Sequence, residues 1–421
     1  ELAQGDALAQ DFRAFVAAGG EPLQDHARFE TLHAHHYGAQ AGDGAQGWDW
    51  RGWPAAHRDA RSAEVARFAQ DHADETLHHC FLQWLAARSQ AAAQRAARAA
   101  GMRIGLIGDL AVGVHAGGSQ TWSRPGEMLV GLSVGAPPDP LAPRGQSWGL
   151  TTFSPLALRD TGYAAFIATL RNMLRHAGGV RIDHVMGLAR LWVTPEGEDA
   201  SHGAYVAYPF ETLVRLVALE SHRAQAIVIG EDLGTAPHGF RERLGDAGIY
   251  GLRVAFFERS HDAFNPPHHY AHAAAAMTST HDTPTVAGWW RGADVDLRAA
   301  LDQFGPGQTH DGESAGRDWE RGLLWRAISD CGAATSERPD TEGDAAAVDA
   351  AVAFVARSAS QLALFPVEDL VGSREQVNLP GTTDQHPNWR RRLDADARRL
   401  LDPAPARARL AEIRRGRGVD R

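Results

Sequence analysis

The chain contains no lysine: all 42 of its basic residues are arginine. That absence removes a lysine Schiff base, a pyridoxal-phosphate lysine and the lysine of a phosphate-binding loop from the available chemistry. Cationic work in any site therefore falls to arginine, which stays charged and presents a planar fork. Cysteine is almost as scarce. Cys80 and Cys331 cannot build a disulfide framework, and neither lies in a metal-type or redox-type pair. This usage fits a reducing, cytoplasmic compartment. No apolar run is long enough to span a bilayer, so membrane insertion is not expected. Positive charge is outweighed as well. A formal net charge of −10 without clustered basic residues argues against a nucleic-acid partner and for a neutral or cationic substrate. Twenty-one histidines are present, including His35-His36, His78-His79 and His268-His269, but there is no His-Glu-x-x-His and no Cys/His zinc spacing. No metal is expected.

What the chain does have is alternation. Its 421 residues allow one large barrel or two to three ordinary domains. The stretch 61–100 reads as helix, with Val65, Phe68, Leu77, Phe81, Leu82 and Leu85 at helical spacing and alanine between them. Strand-like runs follow at 103–110, 179–183, 226–231, 252–257, 277–281 and 361–366, and helical patterns fill most of the gaps, as at 166–176, 210–223, 317–328 and 345–362. Such alternation predicts an α/β fold with a parallel sheet or barrel. The segment 112–155, rich in Gly and Pro, reads as a long functional loop, and the tail after Leu393 as a terminal helix.

Three acids sit at the ends of strand candidates, at similar intervals: Asp183 in Arg181-Ile182-Asp183-His184, Glu231 in Gly230-Glu231-Asp232-Leu233-Gly234, and Asp282 in His281-Asp282-Thr283-Pro284-Thr285. Acids at the strand ends of a strand-helix repeat suggest a (β/α) barrel site. Residues two apart on a strand face the same way, so Arg181 favours the charged form of Asp183, as a nucleophile needs. Of the adjacent pair, Glu231 is the better general acid, because a glutamate starts nearer to neutrality. Two such carboxyls about 5–5.5 Å apart cleave a glycosidic bond with retention, and Asp282 is a third acid able to hold sugar hydroxyls. Neither metal nor organic cofactor is required. Each acid also has a structural reading: Asp282 as a helix N-cap, Arg181 with Asp183 as an ion pair, and Glu231-Asp232 as a solvated loop. Their occurrence in order at strand ends favours the chemical reading. Trp148, in Gly145-Gln146-Ser147-Trp148-Gly149, could stack on a sugar face or anchor its loop.

These runs, with Ile107-Gly108-Asp109-Leu110, Gly135-Ala136-Pro137-Pro138-Asp139, Gln376-Val377-Asn378-Leu379-Pro380-Gly381-Thr382 and Asn388-Trp389-Arg390-Arg391, resemble those of the bacterial 4-α-glucanotransferases. These are the amylomaltases or disproportionating enzymes, and the chain is most similar to their long proteobacterial form. The resemblance implies a (β/α)8 TIM-type barrel of the α-amylase superfamily with helical and loop insertions. It implies Asp183 as nucleophile, Glu231 as acid/base and Asp282 as transition-state stabiliser. Arg181, His281, Asp109, Gln146, Trp148, Pro138, Asp139 and His184 would bind substrate. The implied reaction moves α-1,4-glucan segments between maltodextrins, releasing glucose, without a cofactor. Counting strands in family order makes 103–110 the third, so the first two strands are expected to precede Glu1. On that count 1–100 is a mostly helical insertion, 101–400 the barrel with insertions at about 111–156 and 286–360, and 401–421 a terminal helix. The rivals are an amylase-like hydrolase of the same superfamily and a catalytically silent fragment.

Overall fold

The computed structural model describes residues 6–39, 48–138, 145–393 and 395–419. It is an α/β fold whose chain divides into two compact units, Glu1–Glu231 and Asp232–Arg421. No helix among the described residues is long and apolar enough to cross a membrane.

The first unit opens with helices. The run α1 (Ala7–Ala39) breaks at Gly20, whose φ of 53° only glycine adopts cheaply, two residues before Pro22. The predicted helix at 61–100 is two helices, α2 (Ala63–Asp71) and α3 (Ala73–Ala99), separated at His72. Ser62 caps α2 by accepting from the Val65 amide, and Asp74 and Glu75 place negative charge in the first turn of α3. The buried line of α3 is Thr76, Cys80 and Trp84, one turn apart, whereas Leu77, Leu82 and Leu85 are exposed. Helical spacing was legible there, but the face was not, because Cys80 and Trp84 pack with Phe12 and Ala27 of α1.

Two sheets follow. Strands β1 (Ile107–Leu110), β5 (Gly179–Ile182) and β8 (Ile227–Gly230) pair in parallel, β5 between the others, with Asp109 opposite Arg181 and Arg181 opposite Ile229. Helix α4 (Ala164–Leu174) precedes β5 and α5 (Phe210–Ala224) precedes β8, each with buried apolar residues on one face. The second sheet is antiparallel, in the order β2 (Val114–His115), β4 (Gln146–Thr151), β3 (Leu132–Ala136), β6 (Arg190–Pro195) and β7 (Ala204–Ala207). The expectation of a loop over 112–155 is therefore corrected: it holds three strands, and Gly135 and Gly149 lie within two of them. A Cβ on Gly135 would lie 1.9 Å from the Gln146 carbonyl oxygen, so only glycine lets β3 and β4 approach at their bulge.

In the second unit α6 (Phe240–Asp246) leads into β9 (Ile249–Val254), which pairs in parallel with β10 (Ala274–Met277), itself paired with β11 (Leu362–Leu364). Two predicted strands of this unit are shifted: the one expected at 252–257 begins three residues earlier, and of 277–281 only Met277 lies in β10, the rest forming the loop after it. Three consecutive fully buried alanines, Ala274, Ala275 and Ala276, build most of β10. Ala276 belongs to a core cluster with Phe256, Trp289, Trp290, Trp325 and Phe354. Here lie α7 (Val286–Arg291), α8 (His310–Asp330) and α9 (Asp344–Ala356), the last almost wholly buried and correspondingly apolar all round. Two further helices, α10 (Val367–Val371) and α11 (Ala404–Gly416), close the unit, and α11 is the predicted terminal helix.

Candidate active site

In the first unit the chemistry gathers at the C-terminal ends of β1, β5 and β8. Parallel register sets Asp109 beside Arg181, and one guanidinium nitrogen of Arg181 donates to both Asp109 Oδ1 (2.7 Å) and Asp183 Oδ1 (2.8 Å). The backbone continues the ladder: the Asp183 amide donates to Leu110 O and the Glu231 amide to Ile182 O, each at 2.9 Å. Burial works against the charge on Arg181, but its bond to Asp109 and the charges of Asp109, Asp183 and Glu231 outweigh it and hold the guanidinium above its ordinary range. The ion-pair reading of Arg181 and Asp183 thus describes a real contact, and the contact lies at the strand ends, at the rim of a cavity of about 320 Å³.

His184 adopts a left-handed backbone, φ 43°, which aims its amide at Glu231 Oε2, 3.0 Å away. Since His184 directly follows Asp183, this turn couples the two acids through one peptide. Burial pushes the His184 imidazole down, against the charge of Asp183, so it is neutral at neutral pH. Its ring meets Trp148 edge-on at 5.3 Å, and the Trp148 indole donates to Gln146 Oε1 at 3.0 Å. Gln146 and Trp148 are two apart on β4 and share the sheet face that packs with Val134, Leu191 and Val193. Pro138 is exposed beyond β3; Asp139 lies outside the described residues.

The second unit carries the third acid on the loop between β10 and α7. Asp282 is not the helix cap. Thr285 caps α7, accepting from the Gly288 amide at 3.0 Å. Asp282 Oδ1 instead accepts from Asn378 Nδ2 at 2.6 Å, and its Oδ2 lies 3.0 Å from His281 Nε2. Gln376 Nε2 donates to the carbonyls of Asp282 (3.2 Å) and Asn378 (2.8 Å), while the Asn378 amide donates to His281 O. Asn378 and Gln376 received no role from the sequence, although both lie in a run that carried the resemblance. Asp232, by contrast, is 1% exposed and gives both oxygens to the fold: Arg241 and Arg253 donate to Oδ2, the Leu252 amide to Oδ1. Among the described residues no group of three or more His, Cys, Asp or Glu side chains is placed to hold a metal ion.

An α/β fold with arginine-bridged acids at parallel strand ends is the class this geometry defines. The chain belongs to the 4-alpha-glucanotransferase family, whose family model matches residues 2–397. It is 37% identical over 387 residues to the 4-alpha-glucanotransferase of Mycobacterium tuberculosis, covering 90% of this chain and 51% of that protein. Over 421 residues it is 32% identical to the Haemophilus influenzae 4-alpha-glucanotransferase, covering 97% of this chain and 59% of that one. The solved amylomaltase from Corynebacterium glutamicum superposes with a TM-score of 0.84 at 30% identity, over 98% of this chain and 57% of that chain. This chain thus spans between half and three-fifths of the length of these relatives.

Proposed function

We propose that this chain carries the catalytic centre of a retaining 4-α-glucanotransferase, on an α-amylase-type barrel to which residues 101–400 contribute and into which 1–100 is a helical insertion. The observation that carries the reading is the Arg181 guanidinium shared by Asp109 and Asp183 beside a Glu231 held by the His184 amide. Family membership adds the substrate class: α-1,4-linked maltodextrins as donor, glucose or another maltodextrin as acceptor, in the cytoplasm.

The Asp183 carboxylate attacks the anomeric carbon while Glu231 gives its proton to the leaving glycosidic oxygen, so a bond to Asp183 forms as the bond to the departing sugar breaks. An acceptor hydroxyl then attacks the anomeric carbon of the glycosyl-enzyme, its proton going to Glu231, and the new bond forms as the bond to Asp183 breaks and frees the carboxylate. Two inversions give net retention. Arg181 orients the nucleophile through its bond to Asp183 Oδ1, and Asp282, gripped by Asn378, holds sugar hydroxyls more tightly as the ring distorts. His281, Gln146, Trp148, His184, Pro138 and Asp139 are proposed to line the glucan path. Neither metal nor cofactor takes part in these steps.

The test is a chromatographic product profile after incubation with maltotriose, with Asp183→Asn as control. Glucose together with maltodextrins longer than maltotriose, absent from the control, is the expected outcome. Glucose and maltose alone would identify a hydrolase, and no turnover would refute transfer by the chain as it stands.

A further inference from the structure

Asp369, on α10, lies outside every motif the sequence offers, yet it is fully buried and meets no cationic side chain with its carboxylate among the described hydrogen bonds. An ionised carboxylate in such a place is costly unless donors saturate it. Three do. Thr278 Oγ1 and Ser279 Oγ both donate to Asp369 Oδ2 at 2.6 Å, and the Val286 amide donates to Oδ1 at 2.8 Å. Thr278 and Ser279 leave β10, whereas Val286 begins α7, where a first-turn amide has no partner within its own helix. One carboxylate therefore ties together the two ends of the loop whose tip is His281-Asp282. Burial pushes the Asp369 carboxyl up, and the bonds from Ser279, Thr278 and Val286 pull against that shift.

We infer that Asp369 is the positioning residue of this loop, acting on Asp282 by fixing both ends of the segment that carries it. The loop interior is built to the same end. Thr283 Oγ1 accepts from the Thr280 amide at 2.9 Å, and Thr280 Oγ1 accepts from the Asp282 amide at 3.2 Å. Asn378 then grips the carboxylate from outside. Asp369 is itself anchored through its backbone: Arg409, 4% exposed, donates to the carbonyls of Asp369 and Leu370, and pairs through Nε with Asp349 of α9 at 2.7 Å. The line from α11 through Asp369 to the acid-bearing loop thus consists of buried, directional contacts, the arrangement that fixes a side chain within tenths of an ångström. The catalytic meaning of the clamp rests on the function proposed above; the clamp itself does not.

Asp369→Asn and the double variant Thr278→Val/Ser279→Ala are compared with the wild-type chain by two readouts. Hydrogen exchange at the Asp282, Thr283 and Val286 amides should quicken at least tenfold in both variants, with Ala275 and Ala276 of β10 unchanged. With maltotriose, kcat should fall about thirtyfold while KM stays within twofold, because substrate is still bound but the acid is misplaced in the transition state. The double variant decides if Asp369→Asn does not fold. Unchanged exchange in the loop would overturn the inference, and so would quickening spread evenly over β10 and α9, which marks a merely structural residue. If the wild-type chain turns over no maltotriose, the functional reading falls, while the exchange measurement still decides whether Asp369 holds the loop.

Discussion

Glu231 and Asp232 are neighbours to which the proposed function gives opposite tasks, and substitution should separate them. Glu231→Gln keeps size and hydrogen-bond reach, so transfer should be abolished with the far-ultraviolet circular dichroism unchanged; the same is expected of Asp183→Asn. Normal turnover by either variant would sink the role given to that residue. Asp232→Asn should cost stability instead, about 3 kcal/mol by thermal or denaturant unfolding, because it leaves the half-buried Arg253 and the Leu252 amide with a poorer partner. A second cost is steric. Gly135→Ala drives a methyl group into the Gln146 carbonyl and should lower stability by about 2–4 kcal/mol. Why the acids were legible and Asn378 was not is a matter of distance along the chain. Asp183 and Glu231 end apolar runs whose direction a strand imposes, whereas the Asn378 contact to Asp282 spans 96 residues and leaves no local trace. Asp369 is hidden for the same reason.

Among the elements, the parallel strands other than β10 were found because hydrophobic runs bounded by glycine and acid are strong local signals, whereas the all-alanine start of β10 gives none. The antiparallel sheet was missed. Its strands β3 and β4 are interrupted by Gly135 and Gly149 and flanked by prolines, so turn chemistry masked the alternation of Val134 and Leu132. Helix α1 was expected only as part of a mostly helical 1–100 and without bounds, because a Gly-Gly-x-Pro run breaks its period. That helix carries its own test. His36, 7% exposed, has Nε2 2.9 Å from His57 Nδ1 and packs its ring 4.9 Å from Trp53. Burial, then the neighbouring His57, His35 and His33, push the His36 pKa down from 6.5 to about 4. The unfolded chain therefore binds a proton that the folded one refuses between those values. This contribution to stability is complete above pH 6.5 and is lost as the pH falls towards 4. Denaturant unfolding should show the midpoint declining from pH 7 to pH 4.5, and His36→Phe should flatten the decline; an unaltered slope would discount the pair.

For the whole molecule, the net charge of −10 predicts passage through a heparin or DNA column without retention at about 0.1 M salt. Retention would reveal a basic face that the sequence does not suggest. The same scale explains why family identity was legible when much of the architecture was not. Short runs such as Arg181 to His184 are local in the sequence, whereas the placing of helices α8 and α9 in a cluster with three tryptophans depends on packing that no local period encodes.

The alanine strand β10 has a consequence for how this chain could be altered. Its three methyl side chains are fully enclosed, and Ala276 shares a core cluster with Trp289, Trp290 and Phe256. Enlarging any of the three would overpack that site at about 1–3 kcal/mol each, in the strand that leads directly to Asp282. In a saturation library selected for growth on maltodextrin, positions 274–276 should accept little beyond glycine, serine and cysteine, while exposed Leu77, Leu82 and Leu85 drift freely. The least conspicuous residues of the chain would then be among those that evolution is least free to replace.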